Sequence, residues 1–194
     1  MCPRPSGEPS PADRYPRCAE HEWGYDPAAV ERLLDAVAAT LRGVPGRPVS
    51  AAQVRAAAFE RARGGYRPRA VDEALDAAED ALAAAERERF LAAHGAEAWE
   101  DHLDELAAAV RGRLQRPRTR RFRRPSRSRA PGYSAAHVDV LCERVAARLD
   151  GSGELGAKAV RRAVFPAARG ERCYEEQQVD AFLDRVVQLL LGLE

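Results

Sequence analysis

"GYDPAAVERLLDAV" (residues 24–37), "GYRPRAVDEALDAA" (65–78), "GYSAAHVDVLCERV" (132–145) and "CYEEQQVDAFLDRV" (173–186) are four versions of one phrase. Each reads as a helix start. In the first, Asp26 stands at the N-cap and Pro27 at the first helical position, where a missing N–H costs nothing. Tyr25 then falls at N′ and Val30 at N4, the spacing of a hydrophobic staple. The third copy offers Tyr133, Ser134 and Val138, and the fourth Tyr174, Glu175 and Val179. In the second, Arg67 is a poor cap, so Pro68 and the Tyr66–Val71 pair carry the start. An acid follows each valine: Glu31, Asp72, Asp139 and Asp180. In the first turn it complements the positive end of the helix dipole by a few tenths of a kcal/mol, up to about 1. An apolar stripe continues through Leu33, Leu34, Val37 and Leu41, and through Phe182, Leu183, Val186 and Leu190, at helical spacing. Folding alone accounts for every element of the phrase, which therefore reads as a packing unit rather than a ligand site.

The copies come in pairs. Tyr25 to Tyr66 and Tyr133 to Tyr174 are both separations of 41 residues. Between the members of each pair lies a second recurring phrase, "VRAAAF" (54–59) and "VRRAVF" (160–165). The pairs differ in length only in the segments between these phrases, where loops absorb insertions, so the chain carries a tandem duplication. The two modules span about 23–92 and 132–194.

Composition agrees with a helical protein. The 194 residues carry a formal charge of +1, so no global field argues for nucleic acid or for a membrane. Lys158 is the single lysine, and alanine, leucine, arginine and glutamate, all good helix formers, dominate. The expected class is all-α: two tandem small helical modules with a coiled-coil-like αα-hairpin and a flexible linker. The four cysteines, Cys2, Cys18, Cys142 and Cys173, form no CxxC pair and no disulfide framework. No secretory signal and no run of about 18 apolar residues is present, which predicts a cytoplasmic protein. No glycine-rich phosphate loop, HExxH or GxSxG occurs, so neither an enzyme nor a cofactor is expected. His94 and His102 flank a turn and are read as surface histidines, with no metal expected.

At "VSAAQVRAAAFERARGGYRPRAVDEALDAAE" (49–79) the sequence resembles the N-terminal domain of the DivIVA family. The matching residues are Val49, Ser50, Val54, Phe59, Gly65, Tyr66, Val71, Asp72, Leu75 and Asp76. Residues 155–194 match again through Leu155, Val160, Phe165, Tyr174, Val179, Asp180, Phe182, Leu183 and Asp184. The resemblance implies a non-enzymatic bacterial scaffold or adaptor that self-associates, works in cell division or polar and envelope growth, and sits at the inner face of the membrane. It also implies an aromatic–basic membrane wedge just before Gly-Tyr. Here Arg63-Gly64 and Glu171-Arg172 occupy that place, and Trp23 precedes the first Gly-Tyr without a basic neighbour.

The remaining segments are read as follows. Residues 1–22 form a disordered, Pro- and Ser-rich tail. Val71, Leu75, Ala78, Leu82 and Ala85 follow the 4-and-3 spacing of a coiled-coil seam, and Gly95 ends that helix. A second helix through Trp99, Leu103, Leu106, Val110 and Leu114 (93–115) folds back as a hairpin. "RPRTRRFRRPSRSRAP" (116–131) holds eight arginines, three prolines and no acid, and reads as an exposed flexible linker. Arg120, Arg121, Phe122, Arg123 and Arg124 are its candidates for gripping phosphates, either of anionic lipid or of nucleic acid. Nucleic-acid association through this tract is the alternative function. The C-terminal helix becomes apolar nearly all round, so Leu189, Leu190 and Leu193 are candidates for self-association. Their other possible cover is the chain's own hairpin.

Overall fold

The computed structural model describes residues 14–127 and 130–193. The chain forms two compact units, one ending at Glu88 and the other beginning at Arg89.

The first unit runs β1 (Trp23–Tyr25), α1 (Pro27–Leu41), α2 (Ala51–Arg55), β2 (Arg61–Arg63) and the opening of α3 (Pro68–Leu114). Asp26 caps α1, its carboxylate accepting from the Ala28 and Ala29 amides at 3.3 and 3.2 Å. The helix buries Val30, Leu34 and Val37. It closes in a Schellman turn: Gly43 takes φ 70° and the Val44 amide donates to the Ala39 carbonyl at 3.0 Å. A capping box of Ser50 and Gln53 starts α2. Val54, Tyr66, Val71, Ala78 and Leu82 close the core around the α1 stripe. The seam spacing of 71–82 is thus used on the unit's own helices.

The second unit repeats this order. It contains β3 (Pro131–Ser134), α4 (Ala135–Leu149), α5 (Ala157–Arg161), β4 (Ala167–Arg169), a 3-10 turn at Gly170–Arg172, β5 (Cys173–Tyr174) and α6 (Glu176–Leu193). The end of α4 copies that of α1, with Gly151 at φ 74° and the Ser152 amide on the Ala147 carbonyl. The returning arm of α3 joins this unit. Gly95 breaks α3 with φ 86° and ψ 172°, a conformation open to glycine. The chain reverses there, bringing the rings of Phe90 and His102 within 5.8 Å.

Four expectations are corrected. The protein is mostly helical rather than all-α, because β1–β2 and β4–β3–β5 form two small antiparallel sheets. The first unit ends inside α3 at Glu88 rather than at residue 92, and the returning helix packs with the second module instead of standing apart. Residues 14–22 of the expected disordered tail are placed against the first unit, the Arg67 amide donating to the Pro16 carbonyl and the Cys18 amide to Gly65. Residues 1–13 lie outside the described residues. The linker is irregular as expected, yet not a free one. Arg121 and Phe122 are 8% and 4% exposed, inside the second unit's core. Ser128 and Arg129 also fall outside the described residues.

Candidate functional site

The four phrases meet two by two. In the first unit the Tyr25 amide donates to the Tyr66 carbonyl and the Tyr66 amide to the Tyr25 carbonyl, both at 2.9 Å. In the second, Tyr133 and Tyr174 face each other as register partners of β3 and β5. Two copies of one phrase are therefore joined about a local twofold axis at their tyrosines. The glycine before the tyrosine is required by this approach. A Cβ on Gly24 would come within 3.0 Å of the Tyr66 carbonyl oxygen, one on Gly65 within 3.0 Å of Tyr25's, and one on Gly132 within 3.0 Å of Tyr174's. Where the fourth copy has Cys173 instead, the buried thiol donates to the Gly170 carbonyl at 3.4 Å.

The acids of the phrase complete the exchange. The Tyr66 hydroxyl donates to Glu31, in the opposite copy. The Tyr174 hydroxyl donates to Asp139 of the opposite copy, at 3.0 and 3.2 Å from the two oxygens. Tyr25 and Tyr133 return the bond to Asp72 and Asp180. The acid is thus a cross-copy hydrogen-bond acceptor, and it stands beyond the first turn of its helix, not within it as expected. The helices start at Pro27, Pro68, Ala135 and Glu176, and of the first turns only the last holds an acid, Glu176. The members of each pair differ in depth. Tyr66 and Tyr174 are fully buried, while Tyr25 and Tyr133 are half-buried and lie against Phe59 and Phe165, with ring centroids 5.4 and 5.2 Å apart. Burial pushes the Tyr174 phenol up to about 12, with the Asp139 charge adding to it and the Arg121 amide opposing it. Tyr25 and Tyr133 are raised by burial and by the facing carboxylates. Each tyrosine precedes its helix, and Val30 and Val71, like Val138 and Val179, are fully buried in the same cores.

A short basic–aromatic strap crosses each pair. In the first unit "RYPR" (14–17) lies over Tyr66. The Tyr15 ring meets Tyr66 edge-on at 5.5 Å, the Arg14 amide donates to the Tyr66 hydroxyl at 3.2 Å, and the Arg14 guanidinium pairs with Asp35 at 2.8 Å. In the second unit "RFRR" (121–124) repeats the pose over Tyr174. The Phe122 ring meets Tyr174 edge-on at 5.1 Å and Phe182 at 5.3 Å, and the Arg121 amide donates to the Tyr174 hydroxyl at 3.3 Å. The backbone match is equally close. The Arg67 amide bonds the Pro16 carbonyl, and the Glu175 amide the Arg123 carbonyl, both at 2.8 Å.

Ion pairs fasten the second strap. Arg121 pairs with buried Asp139 at 3.1 Å and also donates to the Leu114 carbonyl. Arg123 pairs with Glu175 and Arg124 with Glu171, each at 3.3 Å, and Arg118 grips Glu143 through two bonds. That grip holds the Glu143 carboxyl below its usual range. The Thr119 amide donates to Asp139 at 2.7 Å. Of the expected phosphate-gripping set, then, Arg121 and Phe122 are buried, Arg123 and Arg124 are ion-paired within the unit, and Arg120 is exposed.

The other candidate residues fall as follows. Leu189 and Leu190 are each 1% exposed and Leu193 is 46% exposed. The returning arm of α3 supplies their cover: Leu103, Leu106, Ala107 and Val110 share their cluster, and a Cβ on Gly192 would strike Leu103. Self-association through Leu189 and Leu190 is thus replaced by an intramolecular contact. Cys142 is core, its thiol pushed up to about 12 by burial. His94 and His102 gather with Phe90 and Trp99 at the hairpin turn, and no group of three metal-ligating side chains occurs among the described residues. No helix among the described residues is long and apolar enough to cross a membrane.

One pairing assembles what the sequence separates. Trp23 and Arg63 are register partners of β1 and β2. Trp23 is 52% exposed, with the Arg63 guanidinium stacked 4.4 Å from its ring centroid. Pro131 and Arg169 occupy the same register in the second unit.

Sequence reasoning missed the straps. The signal was an Arg–aromatic dipeptide ahead of the first Gly-Tyr of each module, Arg14-Tyr15 before Tyr25 and Arg121-Phe122 before Tyr133. Compared with known proteins, the chain matches no family model, no curated protein and no solved structure.

Proposed function

We propose that the chain is a non-enzymatic, DivIVA-like adaptor working through protein–protein contacts in bacterial cell division or polar and envelope growth. The observation that carries this reading is the doubled phrase, present as two pairs of tyrosine-led helices, three opened by Gly-Tyr and the fourth by Cys173-Tyr174. The tyrosines and carboxylates that chemistry would call on hold those pairs together, which favours a binding module over a catalyst. The experiment is imaging of a fluorescent fusion in the native cell. Polar or septal foci support the adaptor, and a signal following the nucleoid overturns it in favour of nucleic-acid association. Against that alternative stands the consumption of Arg118, Arg121, Arg123 and Arg124 by carboxylates of the chain itself.

Peripheral contact with anionic membrane belongs to the same proposal, at Trp23 and Arg63 rather than at the arginine tract. An exposed indole with a guanidinium stacked on it offers an apolar edge to the interface and a cation to headgroup phosphates. Co-sedimentation with anionic vesicles, lost in Trp23→Ala and unaltered in Arg120→Ser, is the expected result. Equal sedimentation of wild type and Trp23→Ala refutes the assignment.

A further inference from the structure

Arg118, Arg121, Arg123 and Arg124 each face a carboxylate of the second unit. Three other arginines of that unit do not. Among the described residues Arg113, Arg116 and Arg185 make no ion pair, although the seated strap gathers them about one ring. That ring is Phe122. It meets Phe182 at 5.3 Å, and the Arg113 guanidinium lies 5.4 Å from its centroid. Arg113 is held in place by Nη1, which donates to the Arg121 carbonyl at 2.9 Å. The chain keeps turning past α3, the Arg116 amide donating to the Arg113 carbonyl at 3.2 Å, so Arg116 follows Arg113 by one turn. Arg185 follows Phe182 by one turn of α6. Two elements thus send a cation each toward the guanidinium on Phe122. Arg113 registers both. Burial first, then Arg116 and then Arg185, lower it from its ordinary value, and no carboxylate is among the groups acting on it.

Local structure explains only part of this grouping. Arg113 is in the last turn of α3, where a cation complements the helix dipole. Arg185 stands in the middle of α6, where no dipole asks for one. Three guanidinium groups repel one another, and an anion between them turns that repulsion into attraction. Each carries five N–H donors in a planar fork, and Arg113 spends one on the Arg121 carbonyl. Half-buried Arg113 supplies a fixed base, and exposed Arg116 and Arg185 supply arms that close on a ligand. We propose that Arg113, Arg116 and Arg185 form a binding site for a phosphate dianion, free or as a phosphate monoester. Three cations suit a doubly charged, tetrahedral ligand rich in acceptor oxygens, whereas each phosphodiester of a nucleic-acid backbone offers a single charge. The site goes beyond the adaptor reading and stands or falls without it.

Isothermal titration calorimetry of the full-length chain tests the site at constant ionic strength and about pH 8, where the phosphate group is a dianion. Inorganic phosphate probes the free ion and glycerol 3-phosphate the monoester. Binding of at least one probe, at one ligand per chain, is expected. Arg116→Gln with Arg185→Gln is expected to weaken it at least about tenfold. This variant leaves Arg113 on Phe122, and circular dichroism checks that the two exposed replacements keep wild-type helicity. Arg32→Gln with Arg42→Gln removes the same charge from exposed positions of the first unit and is expected to bind as wild type does. Binding of phosphate with exclusion of the ester assigns the free ion, and binding of the ester assigns an esterified ligand. Failure of both probes to bind overturns the site. Equal affinity of the two variant pairs also overturns it, because the chain would then attract anions by net charge alone.

Discussion

Replacing Phe122 with alanine separates a seated strap from a free linker. The ring is 4% exposed and touches Tyr174 and Phe182 edge-on, so its removal leaves a cavity in the second unit's core. Phe→Ala changes at such sites cost about 3–5 kcal/mol. The lower end applies here, because irregular backbone beside the strap can partly close the gap. Against a typical domain stability of about 5–15 kcal/mol, a loss of about 3 is large. With an m-value of about 2 kcal/mol per molar urea, the midpoint falls by about 1.5 M. Trp99 lies in the second unit and Trp23 in the first, so a Trp23→Phe background makes fluorescence report the second unit alone. Arg120→Ser, at an exposed position two residues away, is expected within about 0.5 kcal/mol of the parent. A Phe122→Ala loss below about 1 kcal/mol would mean that the strap is a tether, and the reasoning would fail.

Glycine substitutions give a paired test: Gly132→Ala is expected to cost several kcal/mol, because its Cβ would strike the Tyr174 carbonyl, whereas Gly112→Ala meets open space inside a helix and is expected to stabilise by about 1 kcal/mol in thermal melts. Stability is expected to fall at high pH. The Cys142 thiol, raised from 9.0 to about 12, and the Tyr174 phenol, raised from 10.0 to about 12, both hold their protons longer when folded. Their contribution is complete below about pH 9 and is lost as pH rises toward 12, at roughly 1.4 kcal/mol per unit for each group; urea midpoints at pH 8, 10 and 11 check it. Leu189→Glu is expected to unfold the second unit while Leu193→Glu leaves it folded, by circular dichroism, since the former is fully covered and the latter half-exposed.

The sequence made the helices and their starts legible because caps, staples and apolar spacing are local. Asp26, Pro27 and Val30 announce α1 within a few residues, and Gly95 announces the reversal of α3. The recurrence of the phrase was legible too, but not its consequence. Nothing local says that Tyr25 must find Tyr66 rather than a tyrosine of another unit, nor that Glu31 is the acceptor for Tyr66. Those are contacts over long separations, chosen by the glycines that let two backbones meet. The small sheets were missed for the same reason, as three-residue strands carry too little pattern to read. The arginine tract was misread because like-charge repulsion was weighed without its partners. Glu143, Glu171 and Glu175 lie far along the chain, and with them in place the repulsion becomes attachment. The doubled apolar face of α6 was read correctly as needing a second cover, which the returning arm of α3 supplies.

The central claim is that each phrase is completed by its opposite copy, and the Tyr66–Glu31 bond isolates that claim. A double-mutant cycle with Tyr66→Phe, Glu31→Gln and the pair, read by urea denaturation, measures the coupling directly. A charge-assisted bond from a fully buried hydroxyl predicts a coupling of about 1–2 kcal/mol. If Glu31 only complements its own helix dipole, the two substitutions are additive to within about 0.3 kcal/mol, and that result contradicts the pairing of the copies.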